Sequence, residues 1–245
     1  MRNLLFKISY HGGAYHGFQV QKNAVAVQQV LQDGIEKVFG RREDIIGCSR
    51  TDTGVHANAY YFNMHTDSAI PCSGAVRGLN TVLPEDIAIL SCTEVAEDFH
   101  ARYCVREKEY IYKIWNAAVR NPFWNGLAYW HRYPLDAEKM RRACIPFIGE
   151  HDFRGFCSKG SDVEDTIRRI TEMDVERNGD LLVIRVRGDG FLYNMVRIIV
   201  GTLLYVEQGK ISCADLPEII ASGDRRRAGK TAPACGLYLN QVFYE

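Results

Sequence analysis

The chain has 245 residues, enough for one large domain or two small ones that each bury a core. Hydrophobic residues make up 47% and charged residues 24%, an ordinary globular composition, and 30 basic residues balance 30 acidic ones. That balance by itself lowers the odds of nucleic-acid binding, which favours a basic surface, and no apolar stretch reaches the roughly 18 residues of a membrane span. The longest, 191–206, is broken by Asn194 and Arg197. The opening "MRNLLFKISYHGG" lacks a signal-peptide pattern because Lys7 interrupts a short apolar run. Eight cysteines are scattered without a Cys-x-x-Cys pair, so neither a zinc site nor a disulfide framework is expected. Reduced thiols and a cytoplasmic location are the expectation.

The elements follow in chain order. Residues 3–10 read as a strand. Residues 27–39 place Val27, Val30, Leu31, Ile35, Val38 and Phe39 on one helical face. Strands at 44–49 and 58–66 flank the polar run "GCSRTDTGVHA", residues 47–57. A helix at 72–84 is stopped by Pro84, and 86–95 is a strand. This β-α-β-β-α-β order is the ferredoxin-like arrangement. It then nearly repeats: a strand at 109–116, a helix at 136–148, strands near 170–177 and 181–187 joined by the turn "NGD", helices at about 191–207 and 212–222, and a strand at 236–244. The expected fold is α+β, with two ferredoxin-like halves at 1–103 and 104–245. Their sheets are expected to be largely antiparallel and continuous, with a central cleft.

Charge is uneven along the chain. Arg225–Arg227 and Lys230 form a basic cluster, and Arg102, Arg106, Lys108 and Lys113 outnumber Glu107 and Glu109. Both a solvated face and an RNA-facing patch fit this pattern.

Asp52 lies in the polar run between two strands, with Arg50 two places before it. A loop carboxylate there is positioned yet accessible, which suits a reacting group. An Asp-Thr-Gly turn capped by its own aspartate fits as well. The aspartic-protease reading of "DTG" fails: a proton-sharing pair needs a second copy, and only one exists. Arg197 adds a constraint. It stands in the strongly apolar segment 190–206, which should be buried, and a buried guanidinium needs an anion. Glu207, ten residues on, lies too far along the helix axis to serve. Asp52 is the candidate partner, and the pair would keep Asp52 an anion able to act as nucleophile or base. The alternative is that Arg197 snorkels to the surface. Tyr110 and Tyr112 alternate on one strand face; either can stack on a base or simply fill a half-buried strand.

Several blocks taken together are similar to one family. "YHGGAYHGFQVQ" (10–21), "RTDTGVHA" (50–57), "FHARY" (99–103), "YIY" (110–112), "FLYNMVRIIVG" (191–201) and "AGKTAPACGLYL" (228–239) resemble the tRNA pseudouridine synthase A family, in order along nearly the whole chain. Thr53 stands where that family usually has Ala, and Glu107 and Glu109 where many members are more basic. The resemblance implies isomerisation of uridine to pseudouridine in the anticodon stem-loop of tRNA, at nucleotides 38, 39 and 40, by a homodimer with two ferredoxin-like halves and a cleft. It implies Asp52 as the catalytic carboxylate, Tyr110 stacked on the target base, Arg197 paired with Asp52, and Arg50 holding the flipped nucleotide out of the stack. The chemistry requires no redox cofactor, and no cluster has metal-ligand spacing, so neither a cofactor nor a metal is expected.

Overall fold

The computed structural model of the chain describes residues 1–158, 160 and 163–244. In chain order the elements are β1 (Arg2–Tyr10), α1 (Val27–Phe39), β2 (Ile45–Gly47), β3 (His56–Thr66), α2 (Cys72–Val82), β4 (Ile87–Val95), β5 (Val105–Trp115), β6 (Tyr129–Trp130), α3 (Ala137–Cys144), β7 (Gly149–Asp152), β8 (Ile167–Asn178), β9 (Leu181–Gly188), α4 (Met195–Glu207), α5 (Leu216–Ser222) and β10 (Leu237–Tyr244). The architecture is mixed α+β with mostly antiparallel strand pairs, as the alternation of patterns in the sequence requires. The chain divides into two compact units, one formed by Met1–Arg106 with Tyr238–Glu245, the other by Glu107–Leu237.

In the first unit β1 is central. It runs antiparallel to β3, with Phe6 opposite Phe62, and antiparallel to β4, with Phe6 opposite Cys92. The two phenylalanine rings stack at 5.0 Å. Alternation along β1 buries Leu4, Phe6 and Ile8 completely, and α1 adds Val27, Leu31 and Ile35 at helical spacing. Each such side chain contributes about 2 kcal/mol on leaving water. With β1 along one edge of β3, the other edge serves β2 and β10. β2 pairs antiparallel at Ile45–Met64, whereas β10 pairs in parallel, Tyr238 with His56 and Leu239 with Ala57. The loop between β2 and β3 carries Asp52.

In the second unit β5 pairs antiparallel with β9, β9 with β8 and β8 with β7. Short β6 adds in parallel to the end of β5 at Ile114 and Trp115. Ten of the thirteen residues of α4 are buried, in keeping with its apolar sequence. Two boundaries differ from the sequence pattern for local reasons. α3 ends at Cys144 because Pro146 cannot continue it, and a 3-10 turn, Ile145–Phe147, follows. α4 begins at Met195, four residues later than its apolar run, because Asn194 adopts a left-handed conformation (φ 62°). Arg197 therefore sits in the first turn of the helix, not in its middle. Among the described residues, no helix is long and apolar enough to cross a membrane.

Candidate active site

The Asp52 loop is held from several directions within the first unit. The Val55 amide donates to the Asp52 carbonyl at 3.1 Å, closing a turn with Gly54 at φ 78°. Thr51 is buried, and its hydroxyl meets the Tyr10 hydroxyl at 2.8 Å. The Phe18 amide donates to the Thr51 carbonyl at 3.3 Å, and the Gly54 amide to the Tyr15 carbonyl at 3.2 Å. The Tyr60 hydroxyl donates to the Ser49 carbonyl at 2.5 Å. Burial between these anchors alternates: Arg50 is exposed, Thr51 faces inward, and Asp52 is half-buried. Asp52 is thus a reachable carboxylate on a restrained backbone. The turn is closed by the backbone carbonyl of Asp52.

Three of these anchors, Tyr10, Tyr15 and Phe18, come from residues 10–18, the "YHGGAYHGF" segment, for which the sequence offered no structural role. Tyr15 is itself fixed, its hydroxyl donating to Asp86 Oδ1 at 2.5 Å. Burial and the neighbouring carboxylate push the Tyr15 hydroxyl up, so it stays a donor. His56, likewise without a role in the sequence, is 1% exposed and accepts the Gly12 amide at Nδ1, 3.0 Å away. Its ring lies 4.6 Å from His11 and stacks at 4.6 Å on Tyr238. The signal for this cradle was present as a glycine-rich run beside aromatics; its partners were not.

In the second unit Tyr110 is buried on β5 with its ring edge-on to Phe191 at 5.1 Å. Tyr112, on the same face, is fully buried and donates its hydroxyl to the Pro233 carbonyl at 2.7 Å. Burial pushes the Tyr112 hydroxyl well above its ordinary value. Arg197 reaches the adjoining residue: Nε donates to the Ala232 carbonyl at 2.7 Å, Nη1 donates to Asn194 Oδ1 at 2.6 Å, and the Ala232 amide returns to the Arg197 carbonyl at 3.0 Å. Gly201 permits this approach, since a Cβ there would lie 1.6 Å from the Lys230 carbonyl oxygen. The "AGKTAPACG" segment thus lies along α4, tied to Arg197 and to the Tyr strand. Of the four expected residues, Arg50 and Asp52 share a loop of the first unit; Tyr110 and Arg197 belong to the second, joined through Tyr112 and the 232–233 carbonyls.

Two of the three arginines in the basic cluster at 225–227 are ion-paired. Arg226 pairs with both carboxylate oxygens of Asp224, Arg227 pairs with Glu218, and Arg225 donates to the Gly229 carbonyl. Arg226 holds the Asp224 carboxyl down to about 2. Glu107 and Glu109 are similarly matched by Arg187 and Arg185 on the neighbouring strand β9. Among the described residues, no group of three or more His, Cys, Asp or Glu side chains is placed to hold a metal ion.

A family model described as tRNA pseudouridine synthase matches residues 8–104 and 143–245. A tRNA pseudouridine synthase A from Thermoanaerobacter sp. (strain X514) is 46% identical over 244 residues, covering 100% of both chains. One from Acetivibrio thermocellus has the same identity and coverage. A tRNA pseudouridine synthase A 2 from Clostridium perfringens (strain 13 / Type A) is 45% identical over 244 residues, again covering 100% of both chains.

Proposed function

Because the chain belongs to the tRNA pseudouridine synthase family, and is thereby an enzyme that isomerises uridine in tRNA, we propose that Asp52 is its catalytic carboxylate. The reaction breaks the bond from N1 of the base to C1′ of the ribose, turns the base, and joins C5 to C1′. A proton leaves C5 and one is gained at N1, so the product is an isomer and no electron carrier is consumed. A carboxylate serves either by trapping the sugar or by acting at C2′, and both routes need a fixed anion beside the ribose. The observation that carries this reading is the half-buried Asp52 on a turn braced by Tyr10, Tyr15 and Phe18, within the block "RTDTGVHA".

The proposed substrate is the anticodon stem-loop, with nucleotides 38, 39 and 40 as targets. A stem base must leave its stack to react, at a cost of a few kcal/mol. Arg50, exposed beside Asp52, is proposed to hold the flipped nucleotide out. Tyr110 is proposed to stack on the displaced base, with its hydroxyl near the C5 proton. Arg197 is proposed as the cation that pairs with Asp52, in line with the need for an oriented guanidinium. A homodimer working in the cytoplasm completes the proposal; the homodimer rests on the resemblance of the sequence blocks to the family, the cytoplasm on eight scattered cysteines without a disulfide framework.

Asp52→Asn tests the central assignment, since it keeps the shape and removes the charge. Pseudouridine formation, mapped in tRNA after incubation with purified protein, is expected to vanish while tRNA binding persists. Product formation at the wild-type rate in that variant would overturn the assignment.

A further inference from the structure

We propose that His56 is the positioning residue of the Asp52 loop: by accepting the Gly12 amide at Nδ1, it draws residues 10–18 onto the start of β3 and sets where the Asp52 carboxylate stands. The proposal rests on the reading of Asp52 as the catalytic group.

His56 is 1% exposed, and an imidazole is taken out of water without loss only when its nitrogens are hydrogen-bonded. Packing alone does not call for a histidine here, since an apolar ring would fill the space between His11 and Tyr238. What the imidazole adds is an acceptor, and Nδ1 takes the amide of buried Gly12 at 3.0 Å. A ring nitrogen that accepts carries no proton, so the ring is neutral with its proton on Nε2. Gly12 completes the match from the other side. A Cβ on it would fall 1.9 Å from the Val55 carbonyl oxygen, so the two backbones meet closely only because that residue is glycine.

This junction lies one residue from the turn that carries Asp52. Val55 donates to the Asp52 carbonyl, Gly54 leans on the Tyr15 carbonyl, and Phe18 donates to the Thr51 carbonyl. Tyr15 and Phe18 lie three and six residues beyond Gly12. If the Gly12 contact is lost, the segment supplying both anchors relaxes, and the carboxylate shifts with it. A displacement of about 1 Å at a reacting group costs on the order of 10²-fold in rate.

Three variants test this by separating geometry from folding. Asparagine carries its oxygen where Nδ1 lies, whereas glutamine carries its own nearer the Nε2 position. His56→Asn is therefore expected to keep most of the turnover, and His56→Gln to lose about 10²-fold in kcat with KM for tRNA unchanged. His56→Ala should resemble the glutamine variant, and thermal melts show which variants fold. If the alanine variant does not fold, the comparison of asparagine with glutamine decides. Equal activity in the asparagine and glutamine variants overturns the proposal, as does a loss seen only in KM. Persistent activity in Asp52→Asn would instead overturn the reading of Asp52, so the two failures are read from different proteins.

Discussion

Arg197 and Ala232 hold each other twice: the Arg197 side chain donates to the Ala232 carbonyl at 2.7 Å, and the Ala232 amide donates to the Arg197 carbonyl at 3.0 Å. The first turn of α4 and the segment 229–236 are thereby fixed in one register. The head group gains a set direction, since Nη1 is also taken by Asn194 at 2.6 Å. A planar fork held on two acceptors is oriented in a way that a lysine ammonium is not.

Arg197→Lys is therefore expected to behave as a loss. It removes the Nε donor to Ala232, a charge-assisted bond worth about 2 kcal/mol. Urea unfolding should report a drop of that order, and pseudouridine formation should fall by about 10²-fold or more. Wild-type turnover in the lysine variant would show that orientation of this head group does not matter.

Gly201→Ala tests the backbone contact under that pair. Its Cβ would lie 1.6 Å from the Lys230 carbonyl oxygen, so α4 and the 229–232 segment must separate. Overpacking of this kind costs about 3 kcal/mol. The midpoint of chemical unfolding is expected to fall, with activity lost in parallel; an unshifted midpoint would contradict the close approach.

Tyr110→Phe and Tyr112→Phe should part company. Tyr112→Phe strands the Pro233 carbonyl and costs about 1–2 kcal/mol of stability. Tyr110→Phe removes the hydroxyl proposed to assist at C5, and should keep tRNA binding while losing product. Equal effects of the two on turnover would place both tyrosines in the same structural role.

Tyr112 also carries a pH dependence. Burial raises its folded-state pKa above the unfolded value, so the neutral hydroxyl is favoured by folding. Its contribution is complete below the unfolded value of about 10 and is lost as pH rises beyond it. Stability measured from neutral to strongly alkaline pH should decline less steeply above about pH 10 in Tyr112→Phe than in the wild type.

Binding of tRNA should weaken with salt despite the zero net charge, because phosphate contacts release counterions. Arg50→Ala should lower the slope by about one. Arg226→Ala should leave it unchanged, because Asp224 already holds that guanidinium through both oxygens. An unaltered slope in the Arg50 variant would remove Arg50 from the RNA contact.

Much of the secondary structure was legible. The apolar face of 27–39 matches α1 at both ends, and alternation located the long strands to within a few residues. β6 and β7, of two and four residues, are too short to show a period. The start of α4 was displaced because the apolar run continues through 191–194, while the helix waits for the left-handed Asn194. The counterions of the basic run at 225–227 are not visible as a local pattern, since Glu218 lies in α5 and Asp224 only precedes the run.

The sequence by itself determined the elements, the turn at Asp52 and the blocks that carry the family resemblance, because periodicity, turn chemistry and motif order are properties of neighbouring residues. The tertiary structure decided the partners. That β10 joins β3 in parallel, that Gly12 meets His56, and that Arg197 is steadied by Ala232 are pairings across 35 residues or more of chain. No local pattern encodes them, since a backbone amide or carbonyl is the same group at every position and only the fold selects which one arrives.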